Sequence, residues 1–206
     1  MKIYLVAILL IISKLSFGQS NDYDPDLAAD FAINQGKIAP NFVLEDNTGK
    51  KVALSEFKGK TVYLHFWADW CGVCIGELPA LKELYERQKN DDLVFINIVI
   101  DSEKENWKKL INQYQIPGIN LFDNKKSNDK TRSDAVYGYS VAPAYVLIDK
   151  TGKILGHDVP APDEDIFADW VIAQAQKGIP TRKAYELYAK NNSEYTKWLK
   201  GYMSKL

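Results

Sequence analysis

Two cysteines stand three positions apart, as Cys71-Gly72-Val73-Cys74, directly after the aromatic run Phe66-Trp67-Ala68-Asp69-Trp70. The chain of 206 residues holds no third cysteine, so these thiols have only each other. Residues 60–67 read Lys-Thr-Val-Tyr-Leu-His-Phe-Trp, β-branched and aromatic enough to predict a buried strand. From Gly72 onward, Ile75, Leu78, Leu81, Leu84 and Tyr85 recur at three- and four-residue spacing and predict a helix with one apolar face. The pair therefore sits where a strand hands over to a helix.

That position has chemical consequences. Cys71 would cap the helix, where free backbone N–H groups and the positive end of the helix dipole favour a thiolate. Cys71 is then the expected nucleophile and Cys74, one turn inside, the resolving thiol. A purely structural disulfide is a weaker reading, because closing so short a loop removes little entropy from the unfolded chain. A zinc site would need a second pair of ligands, yet the only histidines, His65 and His157, are far apart in sequence. Two inert core cysteines remain the bland alternative.

The amino terminus predicts export. Met1-Lys2 is a short basic start, residues 3–12 are apolar apart from Tyr4, and Ser16-Phe17-Gly18 offers small residues where a signal peptidase reads. A cleaved signal peptide over residues 1–18 is expected, with a retained anchor as the alternative, since the stretch is shorter than the roughly 20 residues of a spanning helix. Export places the chemistry in the periplasm or cell envelope, where disulfides persist. Loss of Lys2 and Lys14 takes the formal net charge from −1 down by two to −3, and this mild acidity does not suit nucleic acid or an anionic membrane surface.

Along the rest of the chain, residues 19–37 read as a polar leader with one short helix near 26–33. Residues 41–45 and 51–54 flank Asp46-Asn47-Thr48-Gly49-Lys50 as a hairpin. Residues 93–100 form a near-continuous apolar run suited to a central strand. A helix over 103–114, a short strand over 119–122 and a charged, solvated loop over 125–132 follow. Residues 144–149 and 153–156 make a second hairpin around Lys150-Thr151-Gly152. The expected fold is α/β: a mixed central sheet flanked by helices, with an N-terminal hairpin. In the tail, Ala184, Leu187, Tyr188, Tyr195, Trp198, Leu199 and Tyr202 lie at helical spacings, predicting extra helices over 179–206 that pack on the domain or form a partner surface.

Several motifs in order, Ala39-Pro40-Asn41-Phe42, Leu54-Ser55-Glu56-Phe57-Lys58-Gly59-Lys60, the segment from Phe66 to Cys74, Glu77-Leu78-Pro79, and the stretch from Pro143 to Asp149, resemble the TlpA/ResA-like branch of the thioredoxin superfamily. The resemblance covers residues 38 to about 175 and implies a thioredoxin-like domain over 38–178. It implies an extracytoplasmic thiol-disulfide oxidoreductase that needs no cofactor beyond its own disulfide. Many relatives act as reductants kept reduced by a membrane electron donor, with apocytochrome c and other envelope proteins as substrates.

By the same resemblance Pro143 matches a cis-proline facing the cysteines, with Ala142 presenting its backbone to a docked peptide. Glu77 matches a partly buried glutamate that could exchange protons with the thiols. Trp70, Gly72 and Val73 would line the docking lip, whereas Trp67 packs inside. Val73 departs from the commoner proline between the cysteines. His65 stands where thioredoxin itself carries a buried aspartate; a strand histidine is more often simply a satisfied or half-exposed residue, whereas an imidazole pointing inward beneath Cys74 would titrate near neutral pH and modulate exchange. Two other functions stay open. A copper chaperone would need a third ligand such as His157. A thiol peroxidase would want a threonine where Ala68 stands. The sequence leaves the oligomeric state open.

Overall fold

The computed structural model describes residues 34–126, 128–139, 141–157, 159–189 and 193–203. The expected signal peptide and the helix near 26–33 lie outside these residues. Strands β1 (Val43–Asp46), β2 (Lys51–Ala53), β3 (Thr61–Trp67), β4 (Leu93–Val99), β5 (Ile119–Phe122), β6 (Ala144–Ile148) and β7 (Ile154–Gly156) form one sheet in the order β2-β1-β5-β4-β3-β6-β7. The β3, β4 and β5 strands run parallel, and the flanking strands pair antiparallel. Every residue of β3 is buried, as its β-branched and aromatic composition predicts for a strand covered on both faces.

Both hairpins close by the same side-chain chemistry. Asp46 Oδ1 accepts the N–H groups of Thr48 and Lys50 at 2.8 and 2.9 Å, and Asp149 Oδ1 accepts those of Thr151 and Lys153 at 2.8 and 2.9 Å. The carboxylate satisfies donors that the turn leaves open, which is why Asp leads each turn. Residues 36–39 bond to the second hairpin, with Gly36 N–H to Ile154 O at 2.8 Å and Ala39 N–H to Gly152 O at 2.8 Å. The end of the expected leader is thus tied to the sheet.

Helices α1 (Gly72–Gln88), α2 (Lys104–Tyr114), α3 (Ser133–Val136), α4 (Asp165–Ala175), α5 (Thr181–Ala189) and α6 (Ser193–Met203) flank the sheet. Helix α1 buries Cys74, Leu78, Leu81 and Leu84, and its Tyr85 meets Phe95 of β4 edge-on. Pro79 lies inside α1, where its missing N–H leaves the Ile75 carbonyl without its usual helical donor. The C-terminal end of α1 is clamped to α4, because buried Asp169 accepts Arg87 Nε at 2.9 Å and Gln88 Nε2 at 2.6 Å. On the opposite sheet face Phe66 packs against Tyr137 and Tyr139.

The C-terminal aromatic stripe packs on the domain. Phe167 meets Tyr185 and Tyr188, Trp170 meets Tyr195 and Trp198, and Trp170 Nε1 donates to Ala184 O at 2.9 Å. The side chains of Leu199 and Tyr202 lie outside those described. One expectation is corrected: Arg132, read as the end of a solvated loop, is buried and makes a two-pronged ion pair with buried Asp134 at 2.6 and 2.8 Å. Burying that charge is tolerable only because the carboxylate matches the guanidinium fork.

Gly118 has a φ of +76°, and a Cβ there would lie 2.6 Å from the Phe95 carbonyl oxygen. Gly118→Ala combines left-handed strain with a backbone clash, so urea unfolding should reveal a loss of about 2 kcal/mol.

Candidate active site

The β3–α1 junction sets the cysteines in place. Cys71 is the N-cap residue of α1, its Sγ accepts the Cys74 N–H at 3.1 Å, and a disulfide of 2.08 Å joins it to Cys74. Both cysteines are buried, Cys71 at 6% exposed slightly less than Cys74 at 0%. Cys71 Sγ also lies 3.6 Å from the carbonyl oxygen of Ala142, and the Ala142–Pro143 bond is cis. Residues 71 positions apart in sequence thus meet at one sulfur, because β6 pairs antiparallel with β3 and ends its approach beside the helix start.

Around Cys71 the surface is apolar. Trp70, Val73 and Val141 are 62%, 64% and 66% exposed, and Gly72 is exposed between the cysteines. Large apolar side chains clustered in water mark a surface that another molecule covers. Trp67 is fully buried. The Trp70 ring is fixed from behind, where Nε1 donates to the Asp101 carbonyl at 3.0 Å and Asp101 adopts a φ of 47°. Ser102 Oγ accepts the Asp69 N–H at 2.9 Å, and Asn106 Nδ2 donates to Asp69 Oδ2 at 3.1 Å. This β4–α2 support escaped sequence reading because its partners lie more than thirty residues from Trp70 and carry no local pattern.

Glu77, half-buried on α1, accepts a hydrogen bond from the Tyr145 hydroxyl. Burial raises the Glu77 carboxyl above the usual glutamate value. The Tyr145 hydrogen bond opposes that shift, and the carboxylates of Asp163 and Glu164 add to it. Burial likewise pushes the Tyr145 phenol far upward, so it remains a protonated donor.

His65 is a buried strand residue. Its imidazole is buried, lies across β3–β4 from Asn97 with Nδ1 3.2 Å from Asn97 Oδ1, and stacks on Tyr145 with ring centroids 4.9 Å apart. Asn97 Nδ2 donates to Pro117 O at 2.8 Å, which turns its oxygen toward His65 and puts the imidazole proton on Nδ1. Desolvation lowers the imidazole pKa to about 4, against the smaller upward pull of the Asn97 bond, so His65 is neutral throughout the physiological range and does not titrate near pH 7.

Among the described residues no metal ligand set assembles around the thiols. His157 packs against Tyr139, at 5.3 Å between ring centroids, and among the described residues no three of His, Cys, Asp and Glu gather into a metal-binding group. Ala68, at the position a peroxidase would fill with threonine, is buried.

A strand-to-helix C-x-x-C opposite a cis-proline in a mixed sheet defines a thioredoxin-fold dithiol enzyme. A family model described as Redoxin matches residues 34–169, and the chain belongs to that family. The chain is 35% identical over 154 residues to the thiol-disulfide oxidoreductase ResA of Bacillus cereus, covering 74% of this chain and 84% of that one. The ResA of Bacillus subtilis is 32% identical over 149 residues, covering 72% and 80%. Among solved structures, the thioredoxin domain of a thiol-disulfide oxidoreductase from Bacteroides vulgatus superposes with a TM-score of 0.60 at 27% identity, covering 69% of this chain and 98% of that one. A chain described as a putative thiol:disulfide interchange protein DsbE, from Chlorobium tepidum, gives 0.58 at 28% identity, with 69% and 98% covered. The protein is a ResA-like thiol-disulfide oxidoreductase.

Proposed function

We propose that the protein is a reductant of the cell envelope, passing two electrons from Cys71 and Cys74 to disulfides of exported proteins, with cytochrome c maturation as the setting. The N-cap position of Cys71, with its Sγ accepting the Cys74 N–H, carries the assignment of roles. Cys71, at the helix N-cap and accepting a backbone N–H, attacks a substrate sulfur as thiolate, and the substrate's other sulfur leaves as a thiolate that takes up a proton. Cys74, buried beneath, then loses its proton and attacks Cys71 Sγ, releasing the second substrate thiol and leaving the Cys71–Cys74 disulfide. A dithiol donor at the membrane restores the pair.

Trp70, Val73 and Val141 would cover an extended substrate segment, and the Ala142 carbonyl beside Pro143 would face its backbone. Glu77 is the proton acceptor for Cys74, because its carboxyl sits one turn further along α1 and its burial places its titration closer to working pH. Support for the envelope setting comes from the signal-like residues 1–18 and the resemblance to TlpA/ResA-like proteins. No helix among the described residues is long and apolar enough to cross a membrane.

Glu77→Gln tests the proton role. Reduction of a model disulfide, followed by stopped flow across pH 5 to 9, should slow about a hundredfold near neutrality and lose its acidic inflection. An unchanged profile removes Glu77 from the mechanism.

A further inference from the structure

Tyr145 was read in the sequence only as one residue of an apolar strand, yet its hydroxyl donates to Glu77 Oε2. The ring that carries this hydroxyl is held on two sides. It stacks on His65 at an interplanar angle of 15°, and its centroid lies 5.8 Å from that of Tyr63. Its backbone pairs with His65 in the β3–β6 ladder, and its carbonyl accepts the Tyr139 hydroxyl at 2.8 Å. The donor is therefore aimed by the sheet before any substrate arrives. A free glutamate side chain samples many rotamers, and this contact restricts the Glu77 carboxyl to one place on the flank of α1.

We infer that Tyr145 is the positioning residue for Glu77, orienting its carboxyl and favouring the carboxylate that accepts the proton of the resolving thiol. This inference rests on the proposed role of Glu77. The groups acting on that carboxyl are the Tyr145 hydroxyl from β6, the carboxylates of Asp163 and Glu164 from the segment leading into α4, and the buried phenol of Tyr63 on β3. His65, stacked behind Tyr145, stays neutral, and Cys74 lies one turn back on α1. The two acidic neighbours oppose ionisation of Glu77, and the tyrosine hydroxyl is the donor that offsets them.

Tyr145→Phe keeps the ring and its stack while removing the donor. Exchange rates across pH 5 to 9 should then show the acidic inflection moved to higher pH. The rate should fall about tenfold on the acidic side and recover at alkaline pH. Added to Glu77→Gln, the same substitution should change nothing further. A carbon-13 NMR titration of the Glu77 carboxyl in the oxidised protein should move upward as well, independently of turnover. If Glu77→Gln abolishes the inflection while Tyr145→Phe leaves it in place, or slows exchange equally at every pH, Tyr145 does not position Glu77. If Glu77→Gln leaves the profile unchanged, both the glutamate's role and the tyrosine's fall together, whereas the NMR titration still reads the contact itself.

Discussion

Cys71→Ser should abolish turnover, and Cys74→Ser should convert the enzyme into a trap. Without Cys71 the remaining sulfur belongs to Cys74, which is wholly buried one turn inside the helix and does not reach a substrate. Without Cys74 the first attack still proceeds, and the Cys71–substrate disulfide has no resolving thiol one turn into α1 to release it. Non-reducing electrophoresis of protein mixed with a disulfide-bonded substrate should show adducts with Cys74→Ser that dithiothreitol dissolves, and none with Cys71→Ser. Equal trapping by both variants would reverse or refute the assignment. The expected loss of turnover for Cys71→Ser is complete to within the limit of the assay, the largest effect any single substitution here should produce.

His65 should make the fold acid-sensitive. Its folded pKa is depressed from 6.5 to about 4, so the unfolded chain binds a proton that the folded protein refuses across that window. The stability from a neutral His65 is fully present above about pH 6.5, declines as pH falls, and at pH 4 is lower by about 3 kcal/mol. Urea unfolding at pH 7 and pH 4 isolates the contribution when wild type is compared with His65→Gln, which retains a donor for Asn97 but cannot titrate. The wild type should lose about 3 kcal/mol more than the variant over this interval. Parallel losses would mean that the imidazole protonates in the folded state as readily as in the unfolded one.

These two residues also mark the limits of reading the chain by itself. The cysteines were legible because their chemistry is local: two thiols, a strand before them and a helix after them, all between Thr61 and Gln88. The hairpins were legible for the same reason, since each Asp satisfies donors two and four residues on. The burial of β3 and β4 followed from the β-branched and aromatic make-up of the one and the near-continuous apolar run of the other. What His65 does depends instead on Asn97, which is set opposite it by the parallel register of β3 and β4, and on Tyr145, set opposite it by the antiparallel register of β3 and β6. Its position in a buried strand was readable, but its neutrality is a property of that lateral row.

Arg132 and Tyr145 were hidden in a similar way. A charged stretch ordinarily means a solvated loop; the partner Asp134 stands only two residues on, but the pairing by itself does not announce that both charges are buried. Tyr145 looked like strand filling because a tyrosine fits a pleated buried surface well. Its hydroxyl acquires meaning only when α1 brings Glu77 beside β6, 68 positions away in sequence. Trp70 was correctly placed on the surface, yet the Asp101 carbonyl that holds its ring belongs to the loop after β4.

The most direct test of the account is the reduction potential of the Cys71–Cys74 pair, measured by equilibrating the protein in graded thiol buffers, trapping free thiols and counting them by mass. The account predicts a reversible two-electron couple at or below about −230 mV, in the range of thioredoxin and the glutaredoxins. A potential near about −120 mV would make the protein an oxidant and contradict the proposed direction of electron flow, and a pair that failed to cycle would contradict exchange itself.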